Sequence, residues 1–221
     1  MDILGMNVTG ITRLGQRMRL FGEGMSWFGG GMTVLEQLEC IRPFVLRYNP
    51  VVMGLVDTRR SRLTEEKVKG CLKKEDNLSW ADVPKSFFND KKNGGIMFAW
   101  NELYFMISKT LPNKRWLLVE GNLIQERIDV SFLLVSEPSC RKERDNLRSD
   151  LVNLRKTISN PLVVMGKFYD GVPPEEKDAD FEYFVDDKFS KHFKVWNKLG
   201  SGRVLSGQHP LVLHCNEQDD I

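Results

Sequence analysis

Apolar runs separated by polar and amphipathic segments follow one another along the chain. Residues 2–8 and 51–57 are two such runs, and they carry the polar residues Asn7 and Asp57 at their ends. The run at 51–57 is too short for a helix and is apolar on both faces, which is typical of a strand buried on both sides. We therefore predict a strand in each run, closing at a polar residue.

The middle of the chain carries a series of apolar runs. Two helices are predicted before it, capped by Thr33, which forms a capping box with Glu36, and by Thr64. The turn signal Asn93-Gly94-Gly95 then leads into the series, whose spacing favours an antiparallel meander over crossover units. The four strands are predicted at 96–100, 104–110, 115–123 and 128–135.

The segment 139–159 has the periodicity of an amphipathic helix. Arginine and lysine cover one side of it, and the other side carries Leu147, Leu151, Leu154 and Ile158. This pattern predicts a surface helix that packs on a sheet. The apolar run at 161–166 follows as the next strand, and the last clear strand is predicted at 209–215.

Strands in series combined with surface helices predict an α/β fold, a sandwich of two sheets with the helices outside. A chain of 221 residues with 41% hydrophobic residues has enough apolar surface for one substantial core. We expect a single domain over 1–215 and a polar tail over 216–221.

Composition narrows the possible functions only slightly. With 32 basic and 30 acidic residues the net charge is +2, which does not by itself demand a nucleic acid partner. The 4 cysteines are scattered and form no CxxC pair, so they indicate neither a zinc site nor a disulfide framework. No apolar run approaches the roughly 20 residues of a membrane span. We expect an intracellular protein, in the nucleus or the cytoplasm, without a membrane partner.

The order of the strand ends resembles that of the exonuclease-endonuclease-phosphatase family. The stretches that carry the resemblance cover nearly the whole chain: MDILGMNVTG, NPVVMGLVDTRRS, NGGIMFAW, FLLVSEPS, NPLVVMGKFYD and RVLSGQHPLVL. They are most similar to the apurinic-type endonuclease domain of LINE-type retrotransposons. The resemblance implies a DNase I-like sandwich, shortened near residues 176–181, and an ancestral phosphodiesterase that acts on DNA with Mg²⁺ or Mn²⁺. FEYFV, at 181–185, is the best match to the Leu-Asp-Arg strand of the family.

The site residues implied by this resemblance are mostly altered. Asn7 and Asp57 stand at two metal-binding positions of the family. The remaining positions are held by Ser136 in place of a tyrosine, Lys167 in place of the water-orienting aspartate, Tyr169 in place of the next asparagine, and Gly207 and Gln208 in place of the closing aspartate and histidine.

Lys167 is the replacement with the clearest chemical consequence. An ammonium group offers no oxygen acceptor, so it cannot take a proton from water, and its charge disfavours a metal ion nearby. Loss of a general base alone costs roughly 10²- to 10⁴-fold in rate. The resemblance therefore implies that hydrolysis is lost or severely weakened, and no residue is assigned as catalytic.

Three functions remain open at the level of sequence. The first is a retrotransposon-derived, inactive or very weak endonuclease-like domain. The second is a binding module in which Arg59, Arg60 and Lys167 hold DNA, RNA or a protein partner; a solvated charge run at the arginines and drift at the lysine are the plain alternatives. The third is a working metal-dependent nuclease or phosphatase in which Asn7 and Asp57 hold the metal. The sequence does not determine the oligomeric state.

Overall fold

The structure is a computed structural model. It describes residues 2–7, 45, 49–56, 78–83, 95–168, 180–199 and 211–217. The helices predicted from Thr33 and Thr64 lie outside these residues. Within the described ranges, no helix is long and apolar enough to cross a membrane.

Among the described residues, the first sheet has six strands. They are β1 (Asp2–Asn7), β2 (Val52–Val56), β3 (Leu78–Val83), β4 (Ile96–Asn101), β10 (Phe193–Leu199) and β11 (Leu211–Glu217), in the order β10-β11-β1-β2-β4-β3. β1 and β2 are parallel, and the other neighbours are antiparallel. The strands predicted at β1, β2, β4 and β11 are confirmed. β3 and β10 were not predicted, because their sequences, LSWADV and FKVWNKL, mix polar and apolar residues on both faces.

The second sheet has five strands. They are β5 (Phe105–Pro112), β6 (Trp116–Leu123), β7 (Ile128–Ser136), β8 (Leu162–Phe168) and β9 (Asp180–Val185), in that order across the sheet. Only the pair β7 and β8 is parallel, and helix α1 (Arg141–Thr157) connects them. This agrees with the need of parallel neighbours for a long crossover. β9 contains the predicted FEYFV strand.

The predicted meander is correct for β5 to β7 and wrong for its first strand, since β4 belongs to the first sheet. The chain changes sheet in the turn after Asn101, a buried residue. The Asn101 side-chain oxygen accepts a hydrogen bond from the Leu103 amide at 3.0 Å, and the Tyr104 amide donates to the Asn101 carbonyl at 3.0 Å. A side chain that binds the backbone two residues later favours a turn over continued strand.

The main core lies between the two sheets. Phe98 of the first sheet and Phe105 and Phe132 of the second form a buried aromatic cluster, with ring centroids 5.4 to 6.3 Å apart. The sheets approach closely at Gly54, where an added Cβ would lie 2.7 Å from Met165 Sδ. A larger residue at this position would therefore push the sheets apart or displace the methionine.

The outer face of the second sheet is covered by α1. Leu147 and Ile158 are buried against this face, and Leu151 and Leu154 pack against the same cluster. The predicted surface helix is confirmed. The short helix α2 (Asp187–His192) was not predicted; it begins after its cap residue Asp186 and buries Phe189.

Two sheets that enclose one core, with a helix outside, confirm the predicted two-sheet α/β sandwich. The shortening expected near 176–181 falls mainly outside the described residues.

Candidate functional site

The candidate site lies at the ends of the two parallel strand pairs. In the first sheet Asn7, the last residue of β1, is in register with Val56, the last residue of β2. In the second sheet, Ser136 and Lys167 occupy the corresponding ends of β7 and β8. Six predicted site residues lie outside the described part of the chain: Asp57, Arg59, Arg60, Tyr169, Gly207 and Gln208.

The structure brings Ser136 and Lys167 together. They are register partners on parallel strands. Leu134 and Met165, two residues earlier on each strand, belong to the core between the sheets. Because side chains alternate along a strand, Ser136 and Lys167 lie on this inner face as well. The exposed fraction of Lys167 is only 6%, so its side chain is buried at the strand end.

Gly166 explains how β8 approaches β7 so closely at this point. It is the register partner of Val135 and has a φ of +159°, and a Cβ there would lie 2.0 Å from the Val135 carbonyl oxygen. A backbone atom cannot move aside as a flexible side chain can, so glycine is required. The position of Lys167 beside Ser136 therefore depends on the glycine before it.

Glu137 is a site residue that the sequence analysis missed. Its amide donates to the Lys167 carbonyl at 3.0 Å, and its carboxylate accepts a hydrogen bond from Arg148 Nε at 2.7 Å. The carboxylate side chain is 1% exposed, and a charge buried to that extent needs a partner of opposite sign. The available signal was an acidic residue directly after an apolar strand.

Arg115 joins the same region from the hairpin between β5 and β6. Its carbonyl accepts a hydrogen bond from the Ser136 amide at 2.9 Å, and its guanidinium lies 3.3 Å from Glu143 on α1. The hairpin, the end of β7 and the start of α1 are thus connected by direct bonds. No pattern in the sequence indicated this contact, which joins residues 28 positions apart.

The described side chains do not fit a divalent cation. Mg²⁺ and Mn²⁺ prefer carboxylate, carbonyl and water oxygens, whereas the strand ends of the second sheet offer a serine hydroxyl and an ammonium group that is a donor only. Within the ranges that the structure describes, no three His, Cys, Asp or Glu residues could together hold a metal ion. A metal held by Asn7 and Asp57 stays a prediction.

Comparisons with known proteins give the fold its context. No protein-family model matches the sequence, and no curated protein sequence matches it. Solved structures do match over nearly the whole chain. The catalytic domain of human Nocturnin with bound sulfate is 11% identical, with 99% of this chain and 93% of that chain covered and a TM-score of 0.60.

Two further structures are similar to the same extent. An endonuclease/exonuclease/phosphatase from Bacteroides vulgatus is 9% identical, with 98% of each chain covered and a TM-score of 0.63. D. rerio TDP2 complexed with a single-strand DNA product is 12% identical, with 98% of each chain covered and a TM-score of 0.59. Identities this low establish the architecture and not the activity. The chain therefore has the DNase I-like fold of the endonuclease/exonuclease/phosphatase proteins.

Proposed function

We propose that this chain is an endonuclease-like domain, derived from a LINE-type retrotransposon, in which phosphodiester hydrolysis is lost or very weak. The single observation that carries the proposal is the position of Lys167. It is buried at the end of β8 and paired in register with Ser136, at the edge where the resemblance locates the family's catalytic groups.

The chemistry of that position accounts for the loss. An ammonium group has three donors and no acceptor, so it cannot orient and deprotonate a water molecule as a carboxylate does. Its charge also repels a divalent cation, and burial increases the repulsion because little water screens it. The further replacements at Tyr169, Gly207 and Gln208 need not multiply the loss, since residues that act as a unit have non-additive effects.

The solved structures support the ancestral substrate class. One similar structure holds a single-strand DNA product, another a sulfate anion, and a third is a mannosyl-6-phosphatase from Bacteroides thetaiotaomicron. Nucleic acid, sulfate and a phosphorylated sugar share a tetrahedral anionic group. The retrotransposon origin rests on the sequence resemblance alone, and we expect the domain to act inside the cell, in the nucleus or the cytoplasm.

Nicking of supercoiled plasmid tests the proposal. Purified folded protein is incubated with Mg²⁺ or Mn²⁺, and with a chelator in parallel, together with Asp57→Ala. We expect no metal-dependent nicking above the chelated control. Metal-dependent nicking that disappears in Asp57→Ala would mean that the site still works with Asn7 and Asp57 as metal ligands, and the proposal would be wrong.

Restoring the family residues tests the origin of the site. The variant carries Lys167→Asp, Tyr169→Asn, Gly207→Asp and Gln208→His, and we expect it to gain metal-dependent nicking over the natural chain. A control with Lys156→Asp makes the same charge change as Lys167→Asp alone, in the last turn of α1 and away from the strand ends. If the restored variant folds, as judged by circular dichroism, and shows no gain, the inferred ancestry of the site is contradicted.

A second candidate function is binding of nucleic acid without hydrolysis, through Arg59, Arg60 and Lys167. The observation that favours it is the single-strand DNA product in a structure of TM-score 0.59. Its signature is binding that weakens steeply with salt, because each neutralised phosphate releases counterions. Binding to a protein partner, without salt dependence, is the competing outcome.

A further inference from the structure

A small apolar surface lies at the end of the second sheet opposite to Lys167. It consists of Leu103 in the turn after β4, Met106 on β5 and Ile124 after β6, which are 58%, 62% and 40% exposed. We call these three residues the apolar turn patch. Single exposed apolar residues are ordinary on a protein surface, whereas neighbouring ones indicate a contact surface.

Backbone pairing brings the residues of the patch together. The Ile124 amide donates to the Tyr104 carbonyl at 2.9 Å, which joins the turn after β4 to the end of β6. Met106 is in register with Asn122, two residues before Ile124. Phe105 belongs to the core between the sheets, so Met106 lies on the outer face of the sheet. Its high exposure shows that α1 leaves this part of the outer face uncovered.

The two halves of β5 differ in how well they are protected against pairing with another chain. Among the described residues β5 is an edge strand of its sheet. Its second half carries three protecting features, which are a register shift between Ile107 and Lys109, the exposed charge of Lys109, and Pro112. Its first half carries Met106 and neither a charged residue nor a proline. The part of the edge that borders the patch is therefore open to a partner strand.

The residues that border the patch are mainly acidic. Glu102 lies in the turn after β4, and Glu126 lies in the turn after β6. Asp129 continues the row of Met106 and Asn122 across the sheet, and its carboxylate accepts a hydrogen bond from the Asn122 amide group at 3.0 Å. In these two turns and this row, three carboxylates stand against one cation, Arg127.

The other cations near this end of the sheet do not reverse that excess on β5 to β7. Lys109 is paired with Glu120 at 3.1 Å, so the two side chains add no net charge. The remaining cations of the described residues at this end belong to α1 and α2: Arg155, Lys156, Lys188 and Lys191. The acidic border is thus limited to the strands that carry the patch.

We infer that the apolar turn patch and the adjoining edge of β5 dock a protein partner through an extended segment that alternates apolar side chains with lysine or arginine. An extended segment can add to an open sheet edge, and side chains of alternate residues then meet the surface beside it. An apolar centre with a polar border is the usual composition of a protein contact.

Charge favours a basic partner at this place. The chain as a whole carries a net charge of +2, so its average surface repels a basic segment, and the carboxylates around the patch attract it. The inference is independent of whether hydrolysis is lost, because it concerns the end of the sheet opposite to Lys167.

Binding of a defined peptide tests the inference. The probe is a fluorescently labelled synthetic peptide of about seven residues that alternates leucine and lysine, so that an extended chain presents leucine on one side. The matched probe has glutamate in place of each lysine. In fluorescence anisotropy we expect the lysine probe to bind at least about tenfold more tightly, with an affinity that falls as salt is added.

A matched set of variants locates the surface. The patch variant carries Leu103→Ser and Met106→Ser, and its control, Val152→Ser, removes an apolar side chain that is 60% exposed on α1. We expect the patch variant to weaken binding of the lysine probe by at least about tenfold and the control to leave it unchanged. Glu126→Gln should weaken binding and reduce its salt dependence, whereas Asp150→Asn on α1 should do neither.

Three outcomes would overturn the inference: equal binding of the two probes, no binding at low salt, or an equal loss of affinity in the patch variant and Val152→Ser. Sedimentation velocity of the protein alone tests a second copy of the chain as the occupant. Dimerisation that disappears in the patch variant would assign the surface to self-association and overturn the inference of a basic partner. The plasmid-nicking result bears only on the proposed function.

Discussion

The two ends of strand β8 differ in what their charged residues do. At its start, the Asp186 carboxylate accepts hydrogen bonds from the Leu162 amide at 3.0 Å, the Phe189 amide at 2.8 Å and Arg155 at 2.7 Å. These bonds join the end of α1, the start of β8 and the start of α2. At its finish, Lys167 is buried beside Ser136, and the neighbouring Glu137 carboxylate pairs with Arg148 at 2.7 Å.

The difference separates charge that joins elements of the fold from charge at the strand ends of the candidate site. The Asp186 carboxylate accepts hydrogen bonds from three donors, each on a different element of the fold, so its role is structural. At the other end, Glu137 pairs with Arg148 and Glu143 pairs with Arg115, next to the strand ends that carry Ser136 and Lys167.

The largest expected effect comes from Gly166→Ala, which breaks the site end of β8. The new Cβ would lie 2.0 Å from the Val135 carbonyl oxygen, so the two strands must separate. Overpacking and backbone strain each cost on the order of 1–3 kcal/mol, and we expect a loss of at least about 3 kcal/mol in the free energy of unfolding. Urea denaturation measures it.

Gly54→Ala is the matched control for this variant. Its Cβ would meet the side chains of Met165 and Leu134 rather than backbone. Flexible side chains can rotate away, so we expect a loss of about 1–3 kcal/mol, smaller than for Gly166→Ala. An equal or smaller loss at Gly166 would contradict the close strand approach that places Lys167 beside Ser136.

The next largest loss of stability is expected at the start of β8, the end opposite to Lys167. Asp186→Ala removes the cap of α2, worth about 0.5–2 kcal/mol, and leaves the Leu162 amide without its side-chain acceptor, worth about 1–3 kcal/mol. We expect a total loss of roughly 2–4 kcal/mol and a smaller one for Asp186→Asn, which keeps an oxygen acceptor. Thermal and urea unfolding measure the loss of stability in both variants.

Asp187→Ala is the control, since that residue is exposed and adjacent in the chain. It should change the free energy of unfolding by less than about 0.5 kcal/mol. If Asp187→Ala lost as much stability as Asp186→Ala, the structural role of the Asp186 hydrogen bonds would be contradicted.

The smallest effect concerns Ser131 on β7. Its hydroxyl is fully buried and, among the described residues, has no hydrogen-bond partner. A buried polar group without a partner costs about 1–3 kcal/mol, so Ser131→Ala should leave the free energy of unfolding unchanged or raise it by about 1 kcal/mol. A loss above about 1 kcal/mol in urea denaturation would show that the hydroxyl contributes to the fold.

Much of the fold could be predicted because apolar runs and helical periodicity are local properties. β6, β7, α1 and β8 are buried on at least one face, and their patterns are long and regular. β3, β10 and α2 were missed for the converse reason. LSWADV and FKVWNKL lack a clean alternation, and a six-residue helix is too short for periodicity to reveal it.

The residues of the candidate site, too, could be predicted from the sequence only in part. Resemblance to the family indicated Ser136 and Lys167, and the register of two parallel strands puts them side by side. Glu137, Arg115 and Arg148 were missed because their contacts join residues 11 to 28 positions apart across a hairpin, a strand and a helix. No local pattern encodes such a contact.

The sequence by itself determined the strands and the helix with long apolar patterns, the α/β class, and the lysine at the position where a carboxylate is usual. Tertiary structure decided which strands share a sheet, that Lys167 is buried, and that Glu137 beside it pairs with Arg148 of α1. Periodicity fixes which face of an element is apolar, since it depends only on neighbouring residues. Which element packs against that face, and which charged side chains come together at the site, depend on contacts between residues far apart in sequence.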